Sequence, residues 1–219
     1  DLRLNLAGNE IIELLSSHLY GNDWRASIRE LLQNAIDACK YRALKEFERG
    51  NYDYKPRIEI EFDGEALTVR DNGKGMILDE IEKFLLNVGK CYYRELDQSI
   101  LDELNPISWF GIGILSCFML TDKIEIETKS MFEDKAHRVE ISKNIDDPVI
   151  VWKGSKNDIG TEIRLKFKDD AKRKIVEDML RESRTENDSV KGKDRNELLV
   201  EAVKKVIHDL LIDTKYKIK

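Results

Sequence analysis

The sequence predicts an α+β domain: a two-layer α/β sandwich with a mixed, mostly antiparallel sheet. Three observations carry that expectation. Helical and strand-like periodicities interleave along the chain instead of segregating into halves. The strand-like runs are joined mainly by hairpin connections, which favour antiparallel neighbours over the crossovers of a doubly wound sheet. With 219 residues, 41% hydrophobic and 37% charged, the chain can bury a sizeable core beneath a heavily charged surface. One domain over 1–219 is expected.

The elements follow in order. Leu2, Leu4 and Leu6 alternate with polar residues, as a short strand does. Ile11, Ile12, Leu14, Leu15 and Leu19 take helical spacing up to Gly21. A longer helix begins near Asn22 or Asp23, either of which can cap it, and runs to about Glu48 before Gly50. Residues 57–62 and 66–70 read as strands joined at Asp63-Gly64, a dipeptide suited to a two-residue hairpin turn. Asp71-Asn72-Gly73-Lys74-Gly75 breaks the pattern, and 78–86 returns to helical spacing.

Residues 87–108 show no long period and carry Gly89 and Pro106 among many polar residues. That describes a long, partly helical connection of the kind that serves as a lid. Residues 110–120 read as a buried helix, and 123–129, 136–142, 149–153 and 161–167 as four further strands. The stretch 181–196 is almost wholly polar and is expected to be a flexible excursion. A closing helix at 197–212 and a short strand at 215–219 complete the chain.

Composition weighs against several classes of function. The net charge is −6 with basic residues spread among acids, which disfavours nucleic acid as the main partner without excluding it. Cys39, Cys91 and Cys117 are odd in number without C-x-x-C spacing, and His18, His137 and His208 lie far apart; neither set frames a metal site or disulfides. The longest apolar run, 110–120, is interrupted by two glycines and falls short of the ~18 residues of a membrane span. No secretory signal opens the chain, so a cytoplasmic location is expected. Its first residue is Asp1 rather than Met, as in a piece of a longer protein.

Four stretches could carry chemistry. In Arg29-Glu30-Leu31-Leu32-Gln33-Asn34-Ala35-Ile36-Asp37-Ala38, the residues Glu30, Asn34 and Asp37 stand at i, i+4 and i+7 on one helical face. Read alone, the stretch is better taken as an amphipathic helix with a solvated polar face; read chemically, Asn34 offers a neutral oxygen to Mg²⁺ one turn from a carboxylate able to take a proton from water. Val69-Arg70-Asp71-Asn72-Gly73-Lys74-Gly75-Met76 is either a plain turn or a strand end where the backbone approaches a flat ligand. There Asp71 could accept from an exocyclic amino group such as that of adenine. Trp109-Phe110-Gly111-Ile112-Gly113-Ile114 either packs a helix closely or exposes N–H groups to phosphate. No P-loop sequence is present to hold phosphate instead. Gly160-Thr161, opening a strand, says little by itself.

Taken together, in this order and spacing, the four stretches resemble the GHKL ATPases, the class of gyrase, heat-shock protein 90, histidine kinases and the mismatch-repair protein MutL. Glu30–Ala38 resembles the helix motif of the chaperone and repair branches. Phe110-Gly111-Ile112-Gly113-Ile114-Leu115-Ser116 and Asn87-Val88-Gly89 look like the heat-shock protein 90 version. The resemblance covers nearly the whole chain and matches the length of the N-terminal ATP-binding domain of those chaperones. It implies the Bergerat-type ATP-binding fold, with ATP and Mg²⁺ as cofactors.

It also implies a role for each matching residue. Glu30 corresponds to the general base, Asn34 to the Mg²⁺ ligand, and Asp37 to a supporting position. Asp71 corresponds to the adenine-reading carboxylate, with Gly75 and Thr161 near the base. Met76 would line the pocket and Asn87 would reach the sugar–phosphate region, while Gly111 and Gly113 would hold phosphates beneath a lid at 87–108. Two departures stand out. Ser108 occupies a position that is glycine in the chaperones, and 90–107 is shorter than the family's lid, with Lys90 and Arg94 both candidates for its lysine.

The implied function is a Mg²⁺-dependent, slow ATPase of chaperone type, cytoplasmic, binding ATP and ADP. Client proteins and a homodimer would involve domains absent here. The alternative is a nucleotide-gated DNA-processing or defence protein of MutL or gyrase type, which the acidic balance disfavours. A histidine-kinase catalytic domain fits less well still, since no phosphoacceptor-histidine helix is found.

Overall fold

The computed structural model describes residues 20–87, 89–108, 111, 113–144, 146–183 and 193–212. In chain order these form helix α1 (Arg25–Glu48), strands β1 (Ile58–Phe62) and β2 (Ala66–Asp71), and a short helix α2 (Leu78–Glu80) that continues as one π-turn (Ile81–Leu85). A 3₁₀ turn (Tyr92–Glu95), α3 (Gln98–Leu104) and α4 (Gly113–Ser116) with its 3₁₀ extension (Cys117–Met119) follow. Then come β3 (Lys123–Lys129), β4 (Ala136–Ser142), β5 (Ile150–Lys153), β6 (Gly160–Lys166), α5 (Asp169–Ser183) and α6 (Arg195–Ile212).

The strands form one sheet of order β1-β2-β6-β3-β4-β5. Its five pairings are all antiparallel among the described residues, so the mixed character expected from sequence is not seen in them. Residues two apart share a face of each strand. Register therefore puts Leu67, Val69, Ile124, Ile126, Val139, Ile163 and Leu165 on one face and Arg70, Glu125, Glu127, Arg138, Glu162 and Arg164 on the other. The first set packs against α1, through Ile28, Leu31, Leu32, Ala35 and Ile36, and against α5 and α6 through Ile175, Val176, Leu199 and Val203. Helices on one face and charges on the other make the predicted two-layer α+β sandwich.

Asp23 marks the start of α1 by accepting the Arg25 N–H at 3.1 Å, and Gly50, at φ +77°, lies just past its end. The β1–β2 turn is shifted by one residue from the expectation: Asp63 N–H bonds to the Ala66 carbonyl, leaving Gly64 and Glu65 as the loop. Two corrections are larger. Among the described residues of the expected helix 110–120, Gly113–Ser116 are α-helical before the chain tightens to 3₁₀, where Leu120 N–H bonds back to Cys117. And α5 is a helix that the sequence reading missed, reaching into the expected polar excursion. Ala171, Ile175 and Val176 bury on the core, with Met179 packed beside them, although the rest of the segment is charged. Residues 181–183 and 195–196 are thus helical. The expected elements at 2–6, 11–19 and 215–219, with 184–192 of the excursion, lie outside the described residues.

Residues 91–104 build a small second core of their own. Cys91, Tyr93 and Leu104 cluster with Tyr41 of α1, with Tyr92, Leu96, Ile100 and Leu101 packed around them.

Candidate functional site

A cavity of about 320 Å³ opens between α1, the inner face of β2–β6–β3, the loop after β2, and the segment leading from Cys91 to Gly113. Glu30, Asn34, Asp71, Gly75, Met76, Gly111, Gly113 and Thr161 all line it. Residues from four stretches of the sequence therefore meet at one wall. A larger open cleft of about 1110 Å³ between the start of α1, α5 and α6 gathers none of them.

Asp71 ends β2, and its Oδ1 accepts the Gly73 N–H at 2.7 Å. Desolvation lifts its pKa to about 6, against the pull of N–H donation from Gly73 and Thr161. The loop beyond is held from the far side. Asn72 Oδ1 accepts the Arg57 N–H at 2.7 Å and its Nδ2 donates to the Lys55 carbonyl at 2.9 Å, while Arg42 donates to the Asn72 carbonyl at 2.8 Å. At Gly75 the backbone takes φ +65° and passes so close to β3 that a Cβ would lie 2.0 Å from the Lys129 carbonyl oxygen. Only glycine fits there. Met76 N–H then donates to Thr128 Oγ1 at 3.0 Å, and that hydroxyl contacts Thr161 Oγ1 at 3.0 Å. Thr128, which the sequence reading missed, joins the glycine loop to β6; only strand register reveals it.

On α1, Glu30 is half-buried, and burial raises its pKa, opposed by the charge of Arg29 and a hydrogen bond from Tyr20. Tyr20 also lines the cavity, its own pKa pushed up to about 12 mainly by burial. Asn34 stands one turn further along on the same wall.

Two expected site residues are not brought to the cavity wall. Asp37 is fully buried behind it: its carboxylate accepts the Ile107 N–H at 2.8 and 3.0 Å and the Ser108 N–H at 2.7 Å, with Lys40 Nζ at 3.8 Å. Burial raises its pKa despite those donors. Asn87 is exposed and turned to its own segment, donating to the Glu82 carbonyl at 2.6 Å. Several lining residues were not singled out from sequence, among them Lys74, Glu80, Cys91, Tyr92 and Tyr93. The adjacent tyrosines in an otherwise polar stretch were the available signal.

The fold and its cavity suit an ATPase domain without a P-loop. A family model described as histidine kinase-, DNA gyrase B-, and HSP90-like ATPase matches residues 23–159. The chain belongs to that family, as an HSP90-like ATPase domain. It is similar to chaperone protein HtpG of Borreliella afzelii (strain PKo), 32% identical over 164 residues covering 72% of this chain and 26% of that protein. The same-named protein of Geobacter sulfurreducens is 30% identical over 178 residues, covering 77% and 27%, and that of Campylobacter jejuni (strain RM1221) 31% over 182 residues, covering 74% and 28%. The chain thus spans about a quarter of the length of these relatives. No helix among the described residues is long and apolar enough to cross a membrane.

Proposed function

We propose that the cavity binds ATP with Mg²⁺ and hydrolyses it to ADP and phosphate, and that the domain serves a chaperone of HSP90 type. One observation carries this: the carboxylate expected to read adenine, the carboxylate expected to activate water and the glycines expected to admit phosphate line a single cavity.

In this reading Asp71 accepts from the adenine amino group and Thr161, Gly75 and Met76 surround the base. Gly111 and Gly113 bring backbone to the phosphates. Because α4 spans only Gly113–Ser116, a helix dipole contributes little, and close backbone approach supports the phosphate site instead. Asn34 supplies a neutral oxygen to Mg²⁺, which suits an ion that shares few protein ligands with phosphate oxygens and water. Among the described residues no group of three or more His, Cys, Asp or Glu is placed to hold a metal, so phosphate and water would supply most of the shell. Glu30 takes a proton from the attacking water. The segment 87–108 acts as the lid, with Asp37 fastening its end at Ile107 and Ser108 rather than touching the ligand. Asn87 would need to turn from Glu82 to meet a nucleotide.

Client binding and homodimer formation would fall to regions that the relatives have and this sequence does not span; a cytoplasmic setting accords with the relatives' chaperone name. Calorimetry with ATP and ADP, with and without Mg²⁺, tests the reading. One site per chain, with ATP binding strengthened by Mg²⁺, is expected. No heat of binding at millimolar nucleotide would overturn it.

A further inference from the structure

Lys74 lies in the glycine loop at the cavity wall, yet is only 5% exposed. Its ammonium donates to Glu80 Oε2 at 2.8 Å and to the Gly75 carbonyl at 3.1 Å. It also sits 4.0 Å from the ring centroid of Tyr92 and 5.8 Å from that of Tyr41. Glu80 Oε2 accepts the Ile77 N–H at 3.2 Å, so the carboxylate that holds the lysine is itself held by its own backbone. Tyr92 in turn shares a 3.2 Å hydrogen bond with the Tyr41 hydroxyl and packs edge-on against Phe84 at 5.5 Å and Tyr41 at 5.7 Å.

These side chains come from three parts of the fold. Lys74 and Glu80 flank the turn from the glycine loop into α2, Tyr41 is on α1, and Tyr92 is in the segment 87–108. A buried ion pair adds little net stability over an apolar pair of similar volume, so packing alone does not explain a lysine here. What the pair adds is a cation held beneath an aromatic ring in a desolvated place, where such contacts are strongest.

We propose that Lys74 is a lid-positioning residue: fixed by Glu80, its ammonium is the seat on which Tyr92 docks residues 91–104 beside the base-binding end of the cavity. The seat therefore sets how readily the cavity opens. This rests on reading the cavity as a nucleotide site, and it names the contact that regulates access to it. The far end of the segment is fastened separately, by Asp37 at Ile107 and Ser108 and by Lys40 at the Asn105 carbonyl, so the seat acts on the end that carries Tyr92.

Hydrogen exchange on the nucleotide-free protein tests the seat. Losing a desolvated cation–ring contact should speed exchange across 93–104 by roughly two- to thirtyfold. That is the expected result for Tyr92→Leu and for Lys74→Met, with amides of β2 and β6 unchanged. Lys74→Arg, which keeps a cation, should stay near wild type. Combining Tyr92→Leu with Lys74→Met should add little to Tyr92→Leu alone, since the ring that the lysine seats is already gone. Should Lys74→Met fail to fold, replacing Tyr92 with phenylalanines of increasing ring fluorination probes the same contact with the lysine intact. Exchange should then rise with fluorination, and exchange that ignores fluorination, or additive effects in the double variant, would overturn the proposal. Calorimetry of the wild type with ATP is the separate control. Absence of binding there would remove the nucleotide reading while the exchange data still decide the seat.

Discussion

The carboxylate of Glu30 lies so close to Gly113 that a Cβ added at Gly113 would sit 2.1 Å from Glu30 Oε2 and 3.0 Å from its Cδ. In the proposed reading the glycine would do two jobs: admit phosphate near the backbone, and leave room for the side chain we propose as the base. Gly113→Ala should displace the Glu30 carboxylate without touching the core. Phosphate release at saturating ATP should fall at least tenfold, while the melting temperature moves little. A wild-type rate in this variant would show that the close approach does not position the base.

Glu30 itself should matter to chemistry and little to binding. A base near the terminal phosphate contributes negative charge to a place that receives more, so Glu30→Gln should leave ATP affinity intact or slightly improved. Hydrolysis should drop by about 10²–10⁴, the range for a general base. Burial holds the Glu30 pKa above the ordinary glutamate value, and a base works only when ionised. Hydrolysis should therefore begin to fail, as pH is lowered, at a higher pH than an exposed glutamate would allow. A single-turnover pH profile with no acid limb above the usual glutamate range would contradict that assignment.

Asp37 makes a different prediction, one of stability. Its buried carboxylate satisfies the Ile107 and Ser108 N–H groups, and removing it orphans both donors. Losing hydrogen bonds to a charged group of this kind costs about 3 kcal/mol. For a domain of this size that corresponds to roughly 6–12 °C in melting temperature. Asp37→Ala should show that loss in calorimetry, with exchange rising first around 105–108. A melting temperature within a degree of wild type would remove Asp37 from the role of fastening that segment.

These residues show where the sequence was legible. Periodicity found α1, the hairpins and strands β3, β4 and β6, because each alternates or repeats against one apolar face, whereas β5 was read from a short apolar run whose four residues are all exposed. Glu30 and Asp71 were legible as candidates because motif spacing survives without knowledge of the fold. Asp37 was grouped with the cavity face by helical spacing, yet it meets backbone some seventy residues away, a contact no local pattern encodes. Lys74 and Glu80 were not singled out, since nothing in their neighbours says that Tyr92 will cover them. Helix α5 was missed for the opposite reason: Ala171, Ile175, Val176 and Met179 are spaced correctly, but the charged residues between them hid a narrow apolar stripe.

The last prediction concerns Asp71 and separates recognition of the base from catalysis. A carboxylate that accepts the adenine amino group must lose affinity when it becomes an amide, because one acceptor turns into a donor facing a donor. Hydrogen bonds to charged groups are worth about 1.5–3 kcal/mol, so Asp71→Asn should weaken ATP and ADP alike by roughly ten- to a hundredfold or more. The pH dependence follows from the same side chain. Burial raises the Asp71 pKa to about 6 in the free protein, so below that pH the carboxyl is protonated and a ligand that prefers the ionised form must first expel the proton. Affinity should thus climb as pH rises from about 5 to 7 and level off above, and Asp71→Asn should flatten that climb. The sign for stability runs the other way. A carboxyl with a raised folded-state pKa favours the protonated native form, so its contribution to the nucleotide-free domain declines as pH rises from about 4 through about 6, and the Asn variant should lack that decline. Calorimetric titrations of both proteins across this pH range would measure both effects. Equal affinities for wild type and variant at pH 7 would take the adenine-reading role away from Asp71 and leave the cavity to be explained by another ligand.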